Sequence, residues 1–254
     1  MNIYISASNE YVHIIEQYAV LFNKYWPNQN VTVLCYDVPN IPIPDNFKFV
    51  SLGKQGKYWS NGLIDFFNNI KDEYFVFSLE DFFLVDYVDQ YKVDLLEQEI
   101  VKGADKASLH FYYVYQIKNP SDRIVVLKQN IKYKTSIHPA IWTRRYMLQN
   151  LKPDMSLIDF ENNPLTDNDG SKIVFLKECM SPQKVVSVMN IYARGELDLS
   201  NFVFYSMKVD GAPVYIEDKD ILMDVINNNT HGFSKGTFTM PQPMQISLTT
   251  IKDK

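Results

Sequence analysis

Two adjacent carboxylates, Glu80 and Asp81, close the run EYFVFSL at residues 73–79. That run is almost continuously apolar, the pattern of a strand buried on both faces of a mostly parallel sheet. Acids at the end of such a strand are costly unless their charge is compensated. In open α/β sheets the C-terminal edge of the strands is also where ligands bind. Hard carboxylate oxygens suit Mg²⁺ or Mn²⁺, and such an ion bridges nucleotide phosphates. So placed, it stabilises a departing diphosphate. The same two acids can equally cap the following turn, and the pair alone does not choose between these roles.

The elements that must position the pair are legible on either side of it. NIYIS reads as a first strand, and Val12, Ile15, Ala19 and Phe22 carry helical spacing over about Glu10 to Lys24. VTVLCY (31–36) and FKFVSLG are two further strands, separated by a connection with three prolines. Leu63, Phe66, Phe67 and Ile70 form an i, i+3, i+4, i+7 stripe behind Ser60, a predicted N-cap. A helix follows over about Val88–Val101, then a strand near Lys106–Tyr113. The second half is less regular, with a helix over about Thr143–Asn150, a strand over Val185–Tyr192 and an extended tail after Gly232. Alternating strands and helices predict an α/β fold with a sheet flanked by helices. No linker divides the 254 residues, so one domain is expected. About 1–105 would form one half, and about 106–254 a second half with the tail.

Composition narrows the chemistry. Hydrophobic residues make up 46% and charged residues 22%, as in a globular protein with a sizeable core. The 17 tyrosines and 16 phenylalanines are expected mainly to fill that core. Cys35 and Cys179 are too few for a disulfide framework or a thiolate cage. No basic-then-apolar leader opens the sequence and no apolar run reaches a membrane span, so a cytoplasmic location is expected. His13, His110, His138 and His231 lack metal-ligand spacing, and no phosphate-binding GKS or GKT is present. The net charge is −5, yet Lys106 to Lys152 holds nine basic residues against the single Asp122. A basic middle in an acidic protein predicts an anionic partner, or charges paired internally.

Taken in order, the segments resemble the GT-A nucleotide-sugar glycosyltransferases, in particular bacterial and viral relatives of the large inverting family. GKYWSNGLIDFFNNIKDEYFVFSLED resembles that family's succession of a glycine, a polar Asn-Gly segment, a helix, an apolar strand and an acidic pair. SIHPAIWTRRYMLQNLKPDMSLIDFE is similar to a recurring block of strand, Ile-Trp, helix and a loop ending in an acid, and NIYARGELD to a closing Arg-Gly element. The resemblance implies a GT-A-like, Rossmann-type mixed sheet with a less regular acceptor-side region. It also implies transfer of a sugar from a nucleotide sugar, a UDP-sugar in the first instance, with Mn²⁺ or Mg²⁺. Glu80–Asp81 departs from the family's Asp-X-Asp or Asp-Asp. The resemblance assigns Asp81 to the metal and turns Glu80 toward donor sugar or ribose.

Further roles follow from the same resemblance. An inverting transferase needs one base for the acceptor hydroxyl, and Glu161, then Asp159, answers to it; a retaining outcome stays open. Trp59 and Asn61 would face the donor nucleotide, and Arg194 would contact phosphate or acceptor. Trp142, Arg144 and Arg145 would border the acceptor. That acceptor is expected to be a surface or capsular glycan. The alternatives are a hydroxymethylated DNA base reached through the basic middle, and an inactive sugar- or nucleotide-binding module.

Overall fold

A computed structural model describes residues 1–84, 86–110, 123–127, 134–163, 169–177, 185–186, 188–190, 192–193 and 196–197. The chain enters through β1 (Ile3–Ser6), a 3₁₀ turn over Val12–Ile14 and α1 (Ile15–Tyr25), then β2 (Val31–Cys35), β3 (Phe47–Ser51) and α2 (Ser60–Asn69). Next come β4 (Tyr74–Leu79), the short β5 (Phe82–Leu84), α3 (Gln90–Val101), β6 (Lys106–Ser108) and β7 (Ile124–Val126). The described remainder is β8 (Ala140–Thr143), α4 (Arg144–Asn150), α5 (Leu157–Glu161), β9 (Ile173–Leu176), β10 (Val188–Asn190), β11 (Tyr192–Ala193) and β12 (Glu196–Leu197).

Eight strands form one mixed sheet in the order β3-β2-β1-β4-β8-β6-β9-β7. β3, β2, β1 and β4 run parallel, β8 is antiparallel to both β4 and β6, and β9 is parallel to β6. This is the sheet flanked by helices that the strand–helix alternation predicts, with the mixed strand directions that the resemblance implies. Four of its strands come from beyond residue 105, so the less regular half shares the sheet with the first half. From β1 the chain steps outward to β2 and β3, then returns past β1 to β4. That reversal leaves a switch point between β1 and β4, where Ser6 pairs with Leu79. A crevice opens at such a point, beyond the strands' C-terminal ends.

Aromatic rings lock α2 to the sheet. Phe67 is fully buried, stacks on Phe75 at 4.7 Å and meets Tyr4 edge-on at 6.2 Å. Removing such a ring costs roughly 3–5 kcal/mol. On the opposite face Tyr18 of α1 packs against Phe83 of β5 at 5.7 Å.

Several boundaries differ from the expected ones. Ser60 is not the N-cap of α2; Trp59 holds that place without a side-chain cap. The Ser60 hydroxyl instead donates to the Lys152 carbonyl at 2.7 Å and accepts from Met155 N at 3.0 Å, tying α2 to the turn after α4. Asp89 caps α3 through the Lys92 amide, so that helix begins two residues later than expected. β6 is three residues long and is followed by Leu109 and His110; the rest of the expected strand, 111–113, lies outside the described residues. The predicted strand at 185–192 is represented by β10 and the start of β11, and the tail after Gly232 also lies outside the described residues.

Candidate active site at the switch point

β4 delivers Glu80 and Asp81 to the crevice on a turn, after which β5 leaves the main sheet to pair with β10. Phe83 anchors this excursion on α1, and its neighbour Phe82 is half-buried at the rim. Glu80 is 6% exposed, and its Oε1 accepts from the Ser8 amide at 3.4 Å, while its own amide donates to the Ser6 carbonyl at 3.3 Å. Glu80 therefore ties the end of β4 to the end of β1. Burial, and then the charge of Asp81, push its carboxyl up to about 8. The same two carboxylates help burial raise the phenol of Tyr18, which underlies them on α1.

Among the described residues no group of three His, Cys, Asp or Glu side chains can hold a metal ion. Two adjacent carboxylates whose mutual repulsion raises one of them are still a donor set that a divalent cation relieves. Mg²⁺ and Mn²⁺ are often held by one or two carboxylates, with phosphate oxygens and water completing the shell. The pair fits such an ion, with Asp81 as the more accessible ligand.

At the ends of β1 and β2 a second set of polar groups lines the same edge. The Asn9 amide side chain donates to Asp37 at 2.5 Å and accepts from the Asp37 amide at 2.9 Å. The Asn9 backbone amide donates to Gln55 Oε1 at 3.0 Å. Trp59 reaches this edge from the start of α2, where its Nε1 donates to Ser6 Oγ at 3.3 Å and its ring lies 5.3 Å from Phe160 and 6.3 Å from Phe77.

The other expected site residues fall in different places. Asn61 is turned away from the crevice, because its side chain exchanges two hydrogen bonds with Asp154, at 3.0 and 2.9 Å. Asp159 is exposed and serves the α5 capping box, where Oδ2 accepts from Ser156 N at 3.0 Å and from Ser156 Oγ at 2.7 Å. Those Ser156 bonds hold its carboxyl below the usual range. Glu161, two residues on, turns inward, and its Oε1 accepts from Ile137 N at 2.9 Å. Trp142 is fully buried beneath the Lys106 ammonium, 4.2 Å from its ring centroid.

Arg144 and Arg145 follow the C-terminal end of β8, at the edge where β4 begins, since Thr143 pairs with Tyr74. Six residues of β4 separate that edge from the acid pair, roughly 20 Å at strand rise. Arg145 pairs there with Asp105. Neither arginine borders the crevice, because the antiparallel direction of β8 carries them away from it. Arg194 lies outside the described residues.

Two lysines of the basic middle, Lys106 and Lys134, are absorbed into the interior. Lys106 is 3% exposed and donates to the carbonyls of Ser136 at 2.5 Å and Lys134 at 3.1 Å. Burial pulls its ammonium down to about 7, against the opposing charge of Glu161. Lys134 is 1% exposed and pairs with Asp169 at 2.6 Å. Lys128 and Lys132 lie outside the described residues.

Residues 134–139 bring forward groups that sequence spacing does not mark. His138 precedes β8, with Ser136 Oγ 2.6 Å from its Nδ1 and the Phe82 ring 5.0 Å away. His110, which follows β6, lies over it at 5.7 Å. Twenty-eight residues separate the two histidines in sequence, and only the β6–β8 pairing joins them.

No family model matches this chain, and no curated protein does. Among solved structures, the chain is similar to S. aureus TarS 1-349, with 13% identity, a TM-score of 0.45, and coverage of 69% of this chain and 57% of that one. The same protein in complex with UDP-GlcNAc gives 14%, 0.46, and 89% and 71%. The CMP:2-keto-3-deoxy-manno-octonic acid synthetase complexed with CTP gives 13%, 0.40, and 68% and 88%. Against the TarS 1-349 structure the chain spans little more than half the length. No residue role follows from likenesses of this size.

Proposed function

We propose that the protein is a metal-assisted glycosyltransferase that moves a sugar from a nucleotide sugar to a hydroxyl of a glycan. The observation that supports this best is the placement of Glu80 and Asp81. They end β4 directly beside β1, at the one reversal of strand order in the parallel half of the sheet. Nucleotides bind at such a crevice, and it also carries the ordered resemblance of the segments on either side.

In this reading Asp81, with Glu80 behind it, would hold a divalent ion, which would supply charge neutralisation for the leaving diphosphate. Asn9, Asp37 and Gln55 line the nucleotide side of the crevice. Trp59, fixed to Ser6, walls it from the α2 side and keeps water from one flank of the donor. The acceptor enters beside Phe82 and the 134–139 segment. Of the two expected bases, Asp159 is engaged in its helix cap, whereas Glu161 belongs to the corner where the acceptor would lie. A glycan suits this edge better than a DNA base. The two innermost lysines of the basic stretch, Lys106 and Lys134, are buried in internal bonds and offer nothing to a phosphate backbone.

The test is thermal unfolding with UDP, GDP and CDP, each with Mn²⁺ and with EDTA. A ligand of the native state raises the midpoint. A nucleoside diphosphate should do so with Mn²⁺ and lose the effect in EDTA, and Asp81→Asn should abolish the metal-dependent part. Equal shifts with and without the ion would refute the metal role. No shift with any of the three nucleotides would refute the nucleotide site.

A further inference from the structure

We propose that Trp59 is a positioning residue which, with Ser60 and Asn61, forms a bracket that holds α5 at a fixed place against the nucleotide side of the crevice. The inference rests on the transferase reading and deepens it.

One side of the bracket is fastened to the ends of the parallel strands. Trp59 Nε1 donates to Ser6 Oγ at 3.3 Å, at the end of β1. The Trp59 carbonyl accepts from the Tyr36 hydroxyl at 3.3 Å, just past β2. Just past β3, Leu52 lies against Gly62, where an added Cβ would meet Leu52 Cβ at 3.0 Å and Tyr36 Cε1 at 3.3 Å. Glycine permits that close approach. The start of α2 is thereby seated on three neighbouring strand ends. Ser6 is also the residue whose carbonyl accepts from the Glu80 amide, so the indole stands one contact from the acid pair.

The other side is fastened to the turn after α4 and to α5. Ser60 is fully buried, and its hydroxyl joins the Lys152 carbonyl to the Met155 amide, while its own amide donates to the Met155 carbonyl at 3.2 Å. Asn61 exchanges its two hydrogen bonds with Asp154, whose φ of 62° is in the left-handed region. Aspartate is among the few side chains that enter that region, and the Asn61 bonds hold the turn there. The Trp59 ring lies 5.3 Å from that of Phe160, which is fully buried and 6.0 Å from Trp142. Glu161 follows directly, pinned to the Ile137 amide.

Trp59 holds the N-cap place of α2 and makes no side-chain cap bond. A Ser, Thr, Asp or Asn there would stabilise the helix; the indole instead joins Ser6 to Phe160. A donor seated on the strand ends and an acceptor beside α5 react only when held in line, and a displacement of about 1 Å costs on the order of 100-fold in rate. The bracket is what fixes that separation. Trp59 is half-buried, whereas Trp26 and Trp142 are closed off at 5% and 0% exposure, so it is the tryptophan that a nucleotide in the crevice reaches.

The experiment follows hydrogen exchange of the whole chain with whichever of UDP, GDP and CDP, each with Mn²⁺, raises the unfolding midpoint. Amides of residues 154–162 exchange through local opening of the turn and α5, and bound nucleotide should slow them about threefold or more. Lys102 and Gly103, at the end of α3, should exchange as before. Nucleotide should also change the indole emission of the wild type and leave that of Trp59→Phe unaltered. Trp59→Phe keeps a ring against Phe160 and loses the bond to Ser6, so at saturating nucleotide the protection of 154–162 should be lost. Asn61→Ala unlatches Asp154 and should lower the same protection. The wild-type comparison decides alone where a variant fails to fold. The inference is overturned if nucleotide raises the midpoint and residues 154–162 exchange as in the free chain, or if Trp59→Phe keeps the full protection. If none of the three nucleotides raises the midpoint, the nucleotide site itself is refuted, and the inference with it.

Discussion

Glu80 and Ser8 face each other across the ends of β4 and β1, the serine amide donating to the buried carboxylate at 3.4 Å. The contact spans the crevice at the switch point, so the residue beside the proposed metal ligand also sets the distance between the two strands. A carboxyl in that position serves the fold best when protonated, and serves a cation best when ionised.

Stability should reflect that conflict. Glu80 ionises near 4.5 when unfolded and near 8 in the folded chain. Between those values the folded state holds a proton that the unfolded state has lost, so stability falls as pH rises through the window. Glu80→Gln has no proton to lose. Urea midpoints measured from pH 5 to pH 8 should show the variant gaining on the wild type as pH rises. A constant difference over that range would contradict the burial argument.

Lys106 supplies the opposite slope. Its ammonium titrates near 7 in the fold, against 10.5 when unfolded. Between about 7 and 10.5 the unfolded chain binds the extra proton, so this group makes the protein more stable as pH rises. Lys106→Met keeps the stem over Trp142 and removes the titration, and also leaves the Ser136 and Lys134 carbonyls without their donor. The difference between wild-type and variant denaturation curves should widen in favour of the wild type from pH 7 to pH 10. A difference that narrows would show that the folded ammonium is not desolvated.

The two acids of α5 should separate cleanly. Asp159→Asn removes half of a capping box on an exposed turn and should leave donor turnover within about twofold of wild type, a change below about 0.5 kcal/mol in the barrier. Ser156→Ala removes the reciprocal half and should cost roughly 0.5–2 kcal/mol of stability, again without loss of turnover. A loss of two orders of magnitude on Asp159→Asn would place the base in the capping box.

Charge reversal distinguishes the two edges of the sheet. Arg144→Glu and Arg145→Glu lie roughly 20 Å of strand from the acid pair and should leave nucleoside-diphosphate binding unchanged, although Arg145→Glu loses its pairing with Asp105. Lys134→Glu should destabilise the fold strongly, since it buries a second carboxylate beside Asp169. Duplex DNA should give no gel shift at low salt. A shift that weakens steeply with salt would revive a nucleic-acid acceptor.

What the sequence by itself determined is what local periodicity and strand-end chemistry can carry. The apolar run before Glu80, the stripe Leu63–Phe66–Phe67–Ile70 and the strand at 31–36 each depend on neighbours within a few residues, and each appears where expected. The acid pair was legible because two carboxylates after a buried strand demand an explanation in any fold. Tertiary structure decided the rest, because direction and pairing are not local properties. Only the antiparallel run of β8 puts Arg144 and Arg145 at the far edge, and the same direction brings His138 to the near one. Only folding sets Asn61 against Asp154, 93 residues away, and closes Lys106 under the 134–136 carbonyls. Nothing within a helical turn of His110 or His138 marks the two as a pair. The sheet makes them neighbours by placing β6 beside β8, a pairing fixed by the burial of whole strand faces and carried by no motif at either histidine.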